Sequence, residues 1–166
     1  MSLTCKEVMV SDQIILRPTD TVKTAFQLMR KKGVRFLPVV DDNGKYLGVF
    51  TSPTLIKLLL PRAMTIELGG NEEVHQALND LKFYHVNKET FHSSLAEEKN
   101  ESVMNHLSEP DSIPVVSPDT SVMEGVLLLH KFKRHVIVVE PNTDKFIGVV
   151  SINSVLKEIF DEDCMD

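Results

Sequence analysis

One pattern of residues is written twice in this chain, one hundred positions apart. The first copy opens Pro18-Thr-Asp-Thr-Val22 and the second Pro118-Asp-Thr-Ser-Val122. A repeat constrains a fold more than any single motif, because both copies must build the same unit. In the first copy Val22, Ala25, Phe26 and Met29 fall at i, i+3, i+4 and i+7, and Val122, Gly125, Val126 and Leu129 take the same places in the second. That spacing puts four residues on one helical face. Ser121 and Glu124 have the form of a capping box, and Asp20 or Thr21 can cap the first helix.

Each helix is followed by a basic residue and an apolar run, Arg35-Phe-Leu-Pro-Val-Val40 and Arg134-His-Val-Ile-Val-Val139. Short runs rich in Val and Ile suit strands buried on both faces. Turn residues follow, Asp41-Asp-Asn-Gly44 and Pro141-Asn-Thr-Asp144, and then second strands, Tyr46-Leu-Gly-Val-Phe-Thr51 and Phe146-Ile-Gly-Val-Val-Ser151. Short helices close the copies near 53–60 and 153–160. With leading strands at 14–16 and 115–116, each repeat reads β-α-β-β-α. The expected organisation is a first repeat over 1–60, a partly helical connector over 61–101 with its helix near 72–82, and a second repeat over 102–166. Forty residues without structure would be unusual inside a compact chain.

Composition narrows the function classes. Asp plus Glu number 24 against 18 Lys plus Arg, a net charge of −6. Such a chain lacks the broad positive field that draws proteins to nucleic acid or anionic lipid, so neither nucleic acid nor membrane is an expected partner. The most apolar short run, 55–60, is broken by Lys57 and stopped by Pro61, whereas a bilayer crossing needs about 20 apolar residues. Two cysteines without C-x-x-C spacing, and no basic-then-apolar leader, fit a reducing cytoplasm. The six histidines show no metal-ligand spacing, and no dinucleotide, phosphate-loop or nucleophile-elbow motif occurs, so neither an enzyme nor a required cofactor or metal is expected. The aromatic–histidine pairs at 83–85 and at Phe91-His92 read as anchors of the connector.

Read together, Val8-Met9, Pro18, Val22, Pro38-Val-Val40, Gly48 and Thr51, then Val103-Met104, Pro118, Val122, Val138-Val139, Gly148 and Ser151, resemble tandem CBS (cystathionine-β-synthase-type) domains of a small stand-alone bacterial-type protein. The resemblance covers all but the connector and the tail. It implies an α/β (α+β) fold in which the two repeats pack through their sheets in pseudo-two-fold symmetry. It also implies a regulatory module that binds AMP, ADP, ATP or S-adenosylmethionine between repeats and acts on an unidentified partner. A ligand-free interaction or dimerisation module is the alternative.

By the resemblance, the ribose is held by a T/S-x-x-D signature. Here it reads Thr51-Ser-Pro-Thr54 and Ser151-Ile-Asn-Ser154, so Thr54 and Ser154 stand where an acid is expected. A neutral hydroxyl cannot offer a bidentate acceptor, which predicts weak ribose binding. Helix capping accounts equally well for Thr51 and Ser151. Arg35, Arg134 and His135 enter the strands where the resemblance places phosphate contacts. Pro38 and Pro114 line a cleft on the same reading, or terminate strand edges. Apolar positions Val22/Phe26 and Val126/Leu129, or their neighbours, are expected to be exposed and to form a homodimer interface.

Overall fold

The computed structural model describes residues 2–60 and 88–160. The helix expected near 72–82 and the aromatic cluster at 83–85 lie outside these residues. The order is α1 (Cys5–Val8), α2 (Val22–Lys32), β1 (Phe36–Val40), β2 (Tyr46–Thr51), α3 (Ser52–Leu59), α4 (Lys88–Leu95), two 3₁₀ turns (Val103–His106 and Pro110–Ser112), β3 (Val115–Val116), α5 (Val122–Phe132), β4 (Val136–Val139), β5 (Phe146–Val150) and α6 (Ile152–Ile159). It is a mixed α+β chain whose described strands form one two-stranded and one three-stranded sheet. Two compact units interleave along it. One comprises Met1–Pro18, Leu37–Val49 and Ser108–Asp166, the other Thr19–Phe36 and Phe50–Leu107.

In the first unit β4 is central, parallel to β3 and antiparallel to β5, with Val136 opposite Val150. Ser121 caps α5 by accepting the Glu124 N–H at 3.2 Å. The N-terminal segment docks on this repeat. Cys5 donates its N–H to Thr120 at 2.7 Å, Val122 donates to Leu3 at 3.0 Å, and Val10 exchanges both backbone bonds with Val149. Gly148 is required for this contact, since a Cβ there would lie 2.7 Å from the Val10 carbonyl oxygen. Cys5, Val8, Val122, Val136, Val138, Val150 and Val155 form the core, with Met9, Val126, Leu129 and Ile147 packed against it. The two hairpins meet through a Lys45–Lys145 bridge and the Tyr46 and Phe146 rings, 6.5 Å apart. Burial raises the Tyr46 phenol to about 12.

The leading strand of the first copy differs from expectation. Instead of a strand over 14–16, only Leu16 makes a bridge, to Val39. The cause is Pro38. In the second copy Ile137 donates its N–H to Pro114 at 2.9 Å and so extends the ladder. Pro38 stands level with Ile137 and has no N–H to donate, so the ladder stops after the Leu16 N–H reaches the Pro38 carbonyl at 2.8 Å.

In the second unit Thr21, not Asp20, caps α2, accepting the Thr24 N–H at 3.2 Å. The Asp20 carbonyl accepts from Val103, and Val22 donates to Glu101. α4 packs on α3. Phe91 and His92, expected to anchor the connector, are exposed on α4, so that reading is corrected for this pair.

The expected interface faces are corrected as well. Val22 is 1% exposed, and Val126 and Leu129 pack against the core, because the i, i+3, i+7 positions of the stripe in α2 and the whole stripe in α5 turn to the interior. Phe26 is exposed as expected; the most exposed apolar residues of α5 are Met123 and Leu127.

Candidate functional site

Three elements of the first unit converge at one end of the β4–β5 hairpin. α5 ends at Phe132, and Lys133 turns the chain in the left-handed conformation, φ 55°, while its N–H caps the Leu129 carbonyl. Arg134 and His135 then lead straight into β4. Since Val136 pairs with Val150, the start of β4 lies beside Ser151, the residue that caps α6. Between these ends is a pocket of about 530 Å³. Its apolar wall is Val126 and Leu129 of α5 with Ile152 of α6; its polar wall is His130, Lys133, Arg134 and His135 facing Ser151 and Asn153.

The polar wall is one-sided in charge. Two side chains are cations and two are imidazoles, and among the described lining residues there is no carboxylate. His135 is exposed by area, yet its partial burial lowers its pKa below the ordinary imidazole value and so favours the neutral form. An arriving anion would favour the imidazolium and recover that cost.

Of the second-copy residues expected at the site, Arg134, His135 and Ser151 line this pocket. Ser154 does not. Its hydroxyl accepts the Ser151 N–H at 2.9 Å and donates to the Ser151 carbonyl at 2.9 Å, while Ser151 Oγ accepts the Ser154 N–H at 3.1 Å. The two serines therefore close a reciprocal cap on α6. Pro114 is buried, outside the pocket lining, with its carbonyl engaged by Ile137.

The first copy is built differently. Matching the ladders, Leu16 with Val39 and Val116 with Val138, sets Arg35 level with Arg134 and Phe36 level with His135. Phe36 is 7% exposed, a core phenyl where the second copy has an imidazole. Gly33, φ 66°, holds the left-handed turn that Lys133 holds in the second. Arg35 is exposed and its carbonyl accepts from Ser52. Thr51 is 3% exposed, with its hydroxyl 3.4 Å from that of Thr54. Pro38 is buried in β1.

Sequence reasoning missed His130, Lys133 and Asn153 as pocket residues. A signal existed for His130, which continues the Val122–Val126 face at i+4. Lys133 had no distinguishing signal, since a cation closing a helix is ordinary complementarity to the helix dipole. Among the described residues no group of three or more His, Cys, Asp or Glu can hold a metal ion, and no helix is long and apolar enough to cross a membrane.

Solved structures share this fold. The CBS-pair protein CBSX2 from Arabidopsis thaliana superposes with a TM-score of 0.66 at 20% identity, over 96% of this chain and 95% of that one. A structure of CBSX2 in complex with AMP gives 0.64 at 21% identity, over 94% and 95%. The CBS domain pair of protein MJ0100, solved with 5′-methylthioadenosine and S-adenosyl-L-methionine, gives 0.60 at 14% identity, over 96% and 97%. Among curated proteins, the uncharacterized protein MJ1426 of Methanocaldococcus jannaschii is 38% identical over 55 residues, 33% of each chain. A homoserine O-acetyltransferase of Methanocorpusculum labreanum is 43% identical over 49 residues, 30% of this chain and 10% of that enzyme. These matched stretches span a third or less of the curated relatives. The family pattern described as CBS domain matches residues 5–61 and 101–161, the two repeats in order. The chain belongs to the CBS domain family, as a tandem pair.

Proposed function

We propose that this chain is a non-catalytic regulatory module that binds an adenine nucleotide or a related adenosyl ligand in the pocket of its second repeat and acts on a partner protein. The observation that carries the reading is the pocket itself. Lys133 and Arg134, with His130 and His135, line it together with the apolar side chains of Val126, Leu129 and Ile152. A phosphate and a flat, largely apolar base match those two sets of side chains in turn. That CBSX2 was solved with AMP and MJ0100 with adenosyl compounds supports the ligand class. Lys133 adds to the case: the left-handed turn costs a lysine about 1 kcal/mol more than glycine, and its side chain lines the pocket. Ligand binding moves a partner only by favouring one of two conformations. Calorimetry against AMP, ADP, ATP and S-adenosylmethionine is the test. Heat at micromolar to millimolar ligand supports the reading, and silence across the panel at millimolar ligand refutes it.

A ligand-free interaction module is the second reading, favoured by the Ser154 hydroxyl, which is consumed by the cap on α6. We further propose a homodimer. Met123 and Leu127 on α5 are 77% and 62% exposed, and Ile152, Leu156 and Ile159 recur on one face of α6. Apolar helix faces of this kind mark interfaces, and two-fold dimers are the commonest closed assembly. Light scattering at micromolar protein should report twice the chain mass, and a monomer there refutes the dimer.

A further inference from the structure

We infer that the second-repeat pocket selects its ligand by the anionic end and is indifferent to the hydroxyls of the ribose. This rests on the nucleotide reading above and specifies what that site recognises. A vicinal diol enters a pocket as a pair of donors, and it needs acceptors with free lone pairs. The pocket has few. Ser151 Oγ already accepts the Ser154 N–H at 3.1 Å, which leaves it one neutral lone pair and its proton. Ser154, where an acid would serve the diol, lies outside the pocket lining and spends its proton and one of its two lone pairs on the Ser151 backbone. Asn153 contributes one neutral carbonyl, on an exposed side chain. Among the described residues, none that lines the pocket is a carboxylate.

Donors, in contrast, are abundant. Lys133, Arg134 and Asn153 all line the pocket and carry N–H donors, and the imidazoles of His130 and His135 line it beside them. A donor-rich, acceptor-poor site is matched to phosphate or carboxylate oxygens, which only accept. It gains little from a sugar that asks to donate. Removing a ribose hydroxyl therefore leaves no buried acceptor orphaned, the circumstance in which deletion of a hydroxyl becomes costly.

The test is calorimetric titration of the full 166-residue chain with AMP, 2′-deoxyAMP, 3′-deoxyAMP and adenosine. The two deoxynucleotides are expected to bind within fivefold of AMP, and adenosine at least tenfold more weakly. Arg134→Gln should weaken AMP and 2′-deoxyAMP alike while leaving their ratio unchanged, with circular dichroism reporting the fold. A loss above fivefold for either deoxynucleotide, with AMP still bound, overturns this inference and leaves the nucleotide reading standing. Adenosine binding as tightly as AMP also overturns it. Absence of binding by every compound, AMP included, refutes the nucleotide reading and takes the inference with it.

Discussion

Placing an acid at residue 154 should turn a pocket that ignores the ribose into one that reads it. Ser154 accepts one bond from the Ser151 backbone and donates one to it, each at 2.9 Å. Ser154→Asp keeps the acceptor, since a carboxylate at the third helical position completes a capping box. It removes the donor, but the Ser151 carbonyl still receives the Val155 N–H at 3.1 Å and is not orphaned. An acid in the first turn of α6 also gains about 0.3–1 kcal/mol from the helix dipole. The fold should therefore change by less than about 1 kcal/mol, a shift of roughly 2–4 °C in Tm. Position 154 lies outside the pocket lining but next to Asn153, and the gain depends on the second oxygen of the longer aspartate side chain reaching the ligand from there. Hydrogen bonds to a charged group contribute about 1.5–3 kcal/mol, roughly ten- to hundredfold in affinity for AMP. For 2′-deoxyAMP one bond is lost, while the new negative charge still weakens the field of Lys133 and Arg134. The AMP preference over 2′-deoxyAMP should thus rise from under fivefold to about tenfold or more. Parallel titrations of both nucleotides into the parent chain and Ser154→Asp, with thermal melts, measure it. A variant that melts normally and shows the parent's ratio would refute the reasoning. Thr54→Asp should do less, since Pro53 restricts the local backbone.

Three further perturbations probe the same architecture. Lys133→Gly relieves a left-handed lysine and should stabilise the fold by about 0.5–1 kcal/mol in denaturant melts while weakening AMP binding; destabilisation would show the turn to be unstrained. Gly148→Ala forces a methyl to 2.7 Å from the Val10 carbonyl oxygen, so it should cost about 1–3 kcal/mol and raise exchange at the Val10 and Val149 amides; unchanged protection there would refute the docking of the N-terminal segment. His135 has a folded pKa below its unfolded value of about 6.5, so the unfolded chain takes up that proton first. Its contribution to stability is whole above that pH and declines as pH falls through 6.5 toward the folded value. His135→Gln should flatten that limb, and an identical pH profile for both chains would count against the assignment.

The legible part of the molecule was the part in which local chemistry and the repeat agree. A hydroxyl, an apolar face at helical spacing and a turn residue bracket α2 and α5, and the two closing helices begin within a residue of expectation for the same reason. What escaped was set by partners distant in the chain. Nothing near Cys5 announces that its N–H is satisfied by Thr120, nor near Val22 that its own is taken by Glu101. Pro38 was visible, but its effect on Leu16 depends on which residue it faces across the ladder. At the site, Arg134, His135 and Ser151, expected there from the family resemblance, do line one pocket, because the end of the β4–β5 pair brings the start of β4 beside the cap of α6. Ser154 was visible as a missing acid, while its bond to Ser151 was not.

The asymmetry between the copies combines one deleted residue with two substitutions. Between the helix and the strand the first copy has Gly33, Val34 and Arg35, whereas the second reaches the equivalent of Arg35 one position sooner, at Arg134. The missing residue returns in the hairpin, where Glu140 and Lys145 close a loop one residue longer than that of Asp41 and Lys45, so the later strands are again one hundred positions apart. The shortened link leaves no room for glycine at the turn and a spacer after it. The turn falls on Lys133 itself, and the cation of the turn stands next to the cation of the strand. At the next position a buried phenyl, Phe36, gives way to the half-exposed imidazole of His135. A repeat written twice would present two equivalent sites; the deletion sets Arg134 directly after the turn, and lysine in place of Gly33 with histidine in place of Phe36 completes a basic cluster that only the second copy has among the described residues.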